Sequence, residues 1–432
     1  MKIELSPVTA VCCDAQFQTI ENAAIHIEDG RITYVGAAAE APAFEADETY
    51  GGSHLVAIPG LVNTHTHAAM TLCRGYADDM ALEPWLSEKI WPFERNLTAE
   101  YVYTGTQLAI AEMIRGGTTT FCDMYFHERQ GVKAAIETGI RMAPGAVLLG
   151  FLPGADAKIV AAREFVRELT GAGDGRITPF LAPHSLYTCD GPQWEKIIAV
   201  ARELDCRIAT HVAETQREVA DVIEKWGQSP VQTLAKIGAL DGPLLAAHCV
   251  YTDADDRDIM ATKPFYVAHN PQSNLKLGSG IAPVTDYLER GITVGLGPDG
   301  TASNNNLDMW EEMRLAATLH KAATLNPVAV TARQALEMAT IQGAACLGLE
   351  NEIGSLEVGK KADIVLVDFD KPHLFPRHNV VSHLVYSAGA SDVDSVLVDG
   401  NWLLKKGTYQ TLDVAKVCAE SEAIAKHLAS VA

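Results

Sequence analysis

The feature that most limits what this chain can fold into is an alternation, running through residues 55–300, of short apolar runs with longer amphipathic stretches. Eight runs have strand character: Leu55–Val62, Thr118–Asp123, Met142–Leu149, Ile177–Ala182, Arg207–Thr210, Leu244–Ala247, Phe265–Ala268 and Thr293–Leu296. Short continuous apolar runs of this kind suit strands covered on both faces. Between many of them lie stretches with helical periodicity, such as Glu100–Arg115, Gln193–Leu204 and Leu307–His320. Parallel strands need crossover connections, and eight βα units in series predict a closed (β/α)8 barrel. In such a barrel the active site lies at the C-terminal ends of the strands.

The two ends of the chain read differently. Ile25–Glu28 and Arg31–Val35 flank Asp29-Gly30, the dipeptide of a tight hairpin. The same pattern returns as Ser395–Val398, Asp399-Gly400 and Asn401–Leu404, after a further apolar strand within Lys361–Val367. Both termini are therefore expected to build one small β-sandwich. The predicted division is residues 1–57 for its first part and 58–355 for the barrel. Residues 356–432 supply its second part and a terminal helix.

Polar residues fall at the exits of the predicted barrel strands. His65 and His67 end the first, Asp123 the second, His184 the fourth, and His211 the fifth, with Glu214 three residues on. His248 ends the sixth, His269 the seventh and Asp299 the eighth. Residues two apart on a strand point the same way, so His65 and His67 aim at one place. With His211 and Asp299 they make a three-nitrogen, one-oxygen set suited to one divalent ion. Zinc leads for a hydrolase without redox chemistry, and iron or manganese would tolerate the same ligands. A two-metal site would want a bridging group, often a modified lysine, and neither Leu149-Gly150-Phe151 nor Pro183-His184-Ser185 holds a lysine.

A metal in such a set acidifies water, which suits attack on an aromatic amidine carbon. Glu214 could protonate a ring nitrogen, and His248 could orient the attacking water. Asp299 could take the water's proton and pass it to the leaving amine. Blander roles exist for single members: Asp123 as an acceptor for barrel backbone, His269 as a core histidine, Glu214 as a solvated charge at a helix start. For the set as a whole, coincidence is a poor account.

These segments resemble the amidohydrolase superfamily, and most closely its 5-methylthioadenosine/S-adenosylhomocysteine deaminases. The resemblance is carried by Pro59-Gly-Leu-Val-Asn-Thr-His-Thr-His67, Leu181-Ala-Pro-His184, Thr210-His-Val-Ala-Glu214 and Ala247-His248. It continues through His269-Asn-Pro-Gln-Ser-Asn-Leu-Lys276, Gly297-Pro-Asp-Gly-Thr-Ala-Ser-Asn304 and Gly354–Asp363. It implies metal ligation by His65, His67, His211 and Asp299, and hydrolytic chemistry on Glu214, His248 and Asp299. It further implies that Glu94 accepts bonds from a ribose diol and that His184 contacts substrate. Trp85 would stack on the purine or cover the pocket, and residues 75–92 lie where they could close over it. The expected reaction converts an adenine nucleoside to its inosine analogue plus ammonia. Alternatives are hydrolysis of another N-heterocycle, such as guanine, cytosine or a triazine, or a non-catalytic scaffold that kept the barrel.

No Arg or Lys occurs between Pro144 and Asp156, where some relatives place an arginine against a charged substrate tail. The neutral 5′-methylthioadenosine is therefore expected to be preferred over S-adenosylhomocysteine, with adenosine also possible. A formal charge of −21 argues against nucleic-acid and anionic-membrane partners. Nine scattered cysteines without a Cys-x-x-Cys, and no apolar leader after Met1, point to the cytoplasm. A homo-oligomer is the default for such an enzyme.

Overall fold

The fold is described from a computed structural model covering residues 1–80 and 84–431. Eight parallel strands close into a barrel: β1 (Leu61–Thr66), β2 (Thr118–Asp123), β3 (Arg141–Leu148), β4 (Phe180–Pro183), β5 (Ile208–Val212), β6 (Leu244–His248), β7 (Phe265–His269) and β8 (Thr293–Leu296). The ring closes where Leu296 of β8 pairs with Asn63 of β1. Nearly every strand residue is buried, because helices cover the outside while side chains fill the interior. Val62, Phe180 and Leu245 pack with Ala344, Cys346 and Leu347 from the helix Ile341–Leu347. The polar side chains gather at the other end, where the strands terminate.

Two expected strands are corrected. The run Leu55–Val62 is two strands rather than one: Leu55–Pro59 pairs antiparallel with Ile364–Asp368 outside the barrel, and β1 begins at Leu61. Gly60 is the joint, and a Cβ there would sit 2.0 Å from Thr119 Oγ1. Hydrophobicity could not reveal the break, because both halves are buried on both faces. The fourth strand starts at Phe180, not Ile177. Pro179 interrupts the ladder, and Ile177 keeps only an isolated bridge to Met142.

The terminal segments form one nine-stranded sheet of sandwich-like shape, into which both ends of the chain are woven. Strands Lys2–Val11, Thr19–Glu28 and Arg31–Ala37 form its N-terminal part; at the other, Val393–Val398 pairs with Ile364–Asp368 on one side and Asn401–Lys405 on the other. Both hairpins turn as expected on Asp-Gly, with φ of 49° and 79° at Asp29 and Gly30, and 47° and 70° at Asp399 and Gly400. These positive angles match the right-handed twist of the flanking strands. The two turns abut: a Cβ on Gly30 would lie 2.7 Å from the Asp399 carbonyl oxygen.

Arg141, at the start of β3, fastens this sheet to the barrel. Its guanidinium donates to both carboxylate oxygens of Asp363 at 3.0 and 3.1 Å, and to Asp399 Oδ1 at 2.9 Å. The planar fork of arginine suits this paired geometry, and Asp363 is buried with it.

The terminal helix Val414–Val431 leaves the sheet and lies against the barrel's upper wall. Leu428 packs in one cluster with Ala69, Trp85, Ile90 and Phe93. No helix among the described residues is long and apolar enough to cross a membrane. All nine cysteines are unpaired.

Candidate metal centre and substrate cavity

The strand exits bring His65, His67, His211, His248 and Asp299 together. The ligand nitrogens of His65, His67 and His211 lie within 4.8 Å of one another, as do the ligand atoms of His65, His248 and Asp299. Asp299 Oδ1 stands 3.3 Å from the Nε2 atoms of both His65 and His67.

Backbone carbonyls set the direction of two of these rings. His67 Nδ1 is 2.6 Å from the Met124 carbonyl oxygen, and His211 Nδ1 is 2.9 Å from that of His184. A carbonyl can only accept, so each Nδ1 carries the proton and each Nε2 offers a lone pair to the centre. His65 Nε2 is buried and makes no hydrogen bond. An orphaned nitrogen beside a buried carboxylate and two aimed imidazoles is what a divalent cation would satisfy. This donor set fits one metal ion.

The electrostatics point the same way. Burial resists charge on Asp299, yet the imidazoles of His65 and His67 close beside it hold its carboxyl well below the usual range. Burial also works against charge on His67, but Asp299 lifts that imidazole to about 9. The carboxylate thus demands positive charge at this point, from a proton on His67 or from a metal cation. Burial lowers His65 to about 4, and it lowers His211 well below the ordinary value, so both stay neutral, as metal ligation would require.

Asp299 and His248 are held in strained backbone, with φ of 62° and 72°. Left-handed angles cost a residue with a Cβ about 1–3 kcal/mol, and such residues concentrate at functional sites. Asp299 Oδ2 accepts from Ser273 Oγ at 2.7 Å and from Ser303 Oγ at 3.0 Å. His248 Nδ1 meets Asn274 Oδ1 at 2.8 Å, which leaves Nε2 toward Glu214 Oε2 at 3.9 Å. Glu218 accepts from the backbone N–H groups of Ala213 and Glu214 at 3.0 and 2.7 Å and so fixes the loop that carries Glu214. Burial raises the Glu214 carboxyl, which favours its protonated form.

His67, His211, Glu214, His248 and Asp299 line a cavity of about 490 Å³, within the size range of small-ligand sites. Glu94, His184 and Trp85 line it too. Glu94 Oε1 accepts from Tyr125 Oη at 2.8 Å, and burial pushes its carboxyl up to about 7. His184 lies beside His211, ring centroids 4.6 Å apart, and burial lowers it to about 3. Trp85 is buried, its indole N–H donating to the Ala77 carbonyl at 3.0 Å, so it is a fixed piece of wall. Of residues 75–92, positions 81–83 lie outside the described residues. Trp85–Ile90 and Trp91–Glu94 are helical and form part of the wall.

Two strand-exit residues stand apart. Asp123 Oδ1 accepts from the Ala68 N–H at 2.7 Å, the backbone-acceptor role allowed for it. His269 is buried against His320, Nε2 to Nε2 3.1 Å, and does not line the cavity. Sequence reasoning missed the supporting groups Ser273, Asn274, Ser303, Asn270 and Asn304. Asn270 and Asn304 hold the carbonyls of Gly297 and Pro298, each at 2.7 Å, just before Asp299. The available signal was the run Asn270-Pro-Gln-Ser-Asn274, dense in side-chain hydrogen-bonding groups at a strand exit.

A closed βα barrel with histidines and an aspartate converging at its strand exits defines a metal-dependent hydrolase of the amidohydrolase class, and the amidohydrolase family profile matches residues 56–403. The chain is 50% identical over 376 residues to a 5-methylthioadenosine/S-adenosylhomocysteine deaminase from Dictyoglomus thermophilum, covering 87% of this chain and 88% of that protein. Among solved structures it resembles an adenosine deaminase from Xanthomonas campestris with bound zinc: TM-score 0.95, 35% identity, 99% and 98% coverage. It also resembles a zinc-complexed atrazine chlorohydrolase from Arthrobacter aurescens: TM-score 0.90, 25% identity, 98% and 100% coverage. The chain belongs to the amidohydrolase family and, within it, to the 5-methylthioadenosine/S-adenosylhomocysteine deaminases.

Proposed function

We propose that this chain hydrolyses the exocyclic C–N bond of an adenine nucleoside, releasing the inosine analogue and ammonia. 5′-Methylthioadenosine is its preferred substrate, with S-adenosylhomocysteine and adenosine also turned over. The reading is carried by one observation: His67, His211 and Asp299 line the same cavity as Glu214, His248 and Glu94, with His65 beside Asp299.

His65, His67, His211 and Asp299 would hold one zinc ion, whose contribution is to acidify water near neutral pH. Glu214, whose protonated form burial favours, donates to the purine ring nitrogen beside the carbon under attack. His248 Nε2, directed by Asn274 behind it, orients the attacking water. Asp299 Oδ1 takes a proton from that water and returns it to the departing amine, while Oδ2 stays bound to the two serines. Glu94 keeps Oε2 for the ribose hydroxyls while Tyr125 occupies Oε1. His184 and Trp85 contact the base.

Likeness to the chlorohydrolase favours triazines as the second reading, since both chemistries displace a group from an electron-poor ring carbon. Glu94 separates them, because a triazine has no diol. In ammonia- and chloride-release assays over nucleosides, free bases and triazines, 5′-methylthioadenosine should give the highest kcat/KM. Glu94→Gln should lower nucleoside kcat/KM by about 10–100-fold, the worth of a bond to a charged acceptor, and spare any free-base activity. Equal loss on both substrate types would refute the nucleoside assignment.

A further inference from the structure

The cavity changes character from floor to mouth. At its floor His211, Glu214, His248 and Asp299 are buried or nearly so, whereas at its mouth Trp91, Tyr187 and Phe151 are 46%, 44% and 64% exposed. Between these levels the wall is Leu86, Ile90 and Leu149. Among the described residues no lysine or arginine lines the cavity.

An amino group must reach the floor to be displaced, and a ribose diol must reach Glu94. Whatever hangs from the 5′ carbon then meets leucine, isoleucine and aromatic surface. A zwitterionic amino-acid tail would lose water there without an ionic partner, and that loss is unfavourable. An uncharged chain would gain from the same surface, in proportion to the apolar area it covers. Large exposed aromatics on a soluble protein otherwise serve no packing purpose, and their clustering at a cavity mouth marks a recognition surface.

We propose that the outer half of this cavity is a general apolar subsite, and that the enzyme takes 5′-thioadenosines whose sulfur carries an uncharged alkyl or aryl group larger than methyl. The proposal rests on the nucleoside reading above and extends it. Phe151 and Trp91 are the residues that form the subsite's rim.

The test is kcat/KM, by ammonia release, on 5′-thioadenosines bearing methyl, propyl, butyl and benzyl groups, with S-adenosylhomocysteine for comparison. From methyl to butyl the value should rise by up to about fourfold per methylene, the affinity equivalent of burying one. S-Adenosylhomocysteine should fall below the methyl compound. Phe151→Ala should lower the butyl-to-methyl ratio, and Phe151→Arg should raise the S-adenosylhomocysteine-to-methyl ratio. Turnover of the methyl compound with values falling along the series would overturn the subsite alone. Turnover of no nucleoside at all would overturn the nucleoside reading itself.

Discussion

Replacing Ser273 by alanine removes a single oxygen, and its consequences can be worked through. That hydroxyl donates to Asp299 Oδ2 at 2.7 Å, and among the described residues the only other side chain on this oxygen is Ser303 at 3.0 Å. Ser303 can also donate to the Gly300 carbonyl at 3.0 Å, so it is not committed to the carboxylate. A hydrogen bond to a buried charge contributes about 1.5–3 kcal/mol, equivalent to roughly 10–150-fold in an equilibrium or rate constant. Ser273→Ala should therefore weaken metal retention by one to two orders of magnitude, measured by competition with a chelator, in keeping with the ~10–100-fold typical of groups behind metal ligands. With the metal saturating, kcat should fall and KM should stay within about twofold, because the serine meets the aspartate and does not line the cavity. The double variant with Ser303→Ala should cost less than the sum of the singles, since the two hydroxyls lie 3.0 Å apart and serve the same carboxylate oxygen. If Ser273→Ala kept both metal affinity and kcat within twofold of the parent, the reasoning that Asp299 depends on its outer oxygen would be wrong.

Asn274→Leu deprives His248 Nδ1 of its acceptor, and kcat should drop about 10–100-fold with thermal stability little changed, as checked by kinetics and calorimetry. Arg141→Met leaves Asp363 and Asp399 facing each other without their shared cation; the stability loss should be ~3–5 kcal/mol in denaturant titrations, and a loss below 1 kcal/mol would refute that role. Glu312, buried on the helix Met309–Thr324, accepts from Asn304 Nδ2 at 2.7 Å, and burial raises its carboxyl to about 8 in the fold, against 4.5 for the free group. The native state therefore binds the extra proton between those values, and stability should fall as pH rises through that window, by up to ~1.4 kcal/mol per pH unit. Glu312→Gln should flatten that decline, read from unfolding midpoints between pH 5 and 8.

The barrel was legible in the sequence because strands buried on both faces leave uninterrupted apolar runs, and because histidines seldom fall at successive strand ends by chance. The hairpins were legible because Asp-Gly imposes positive φ on two consecutive residues, as at Asp29–Gly30 and Asp399–Gly400. The joint at Gly60 was not legible, since periodicity carries no mark where a chain passes from one buried sheet to another. Glu94 shows a second limit. It sits on a short helix far from any barrel strand, and only resemblance brought it forward, whereas the fold places it in the cavity wall. The serines and asparagines behind Asp299 and His248 show a third. Small polar residues in a loop ordinarily signal turns, and only their burial against named acceptors reveals what they hold.

The interleaving of both chain ends in one sheet has a consequence for how the protein is made. Leu55–Pro59 has its antiparallel neighbour at Ile364–Asp368, about 300 residues downstream. At ~5–20 residues per second, a ribosome takes roughly 15–60 s to deliver that partner. Throughout this interval the early strand carries an open edge, a surface prone to adhesion between nascent chains. Newly made molecules should therefore depend on chaperone shelter until the downstream strand emerges, whatever the final stability of the enzyme.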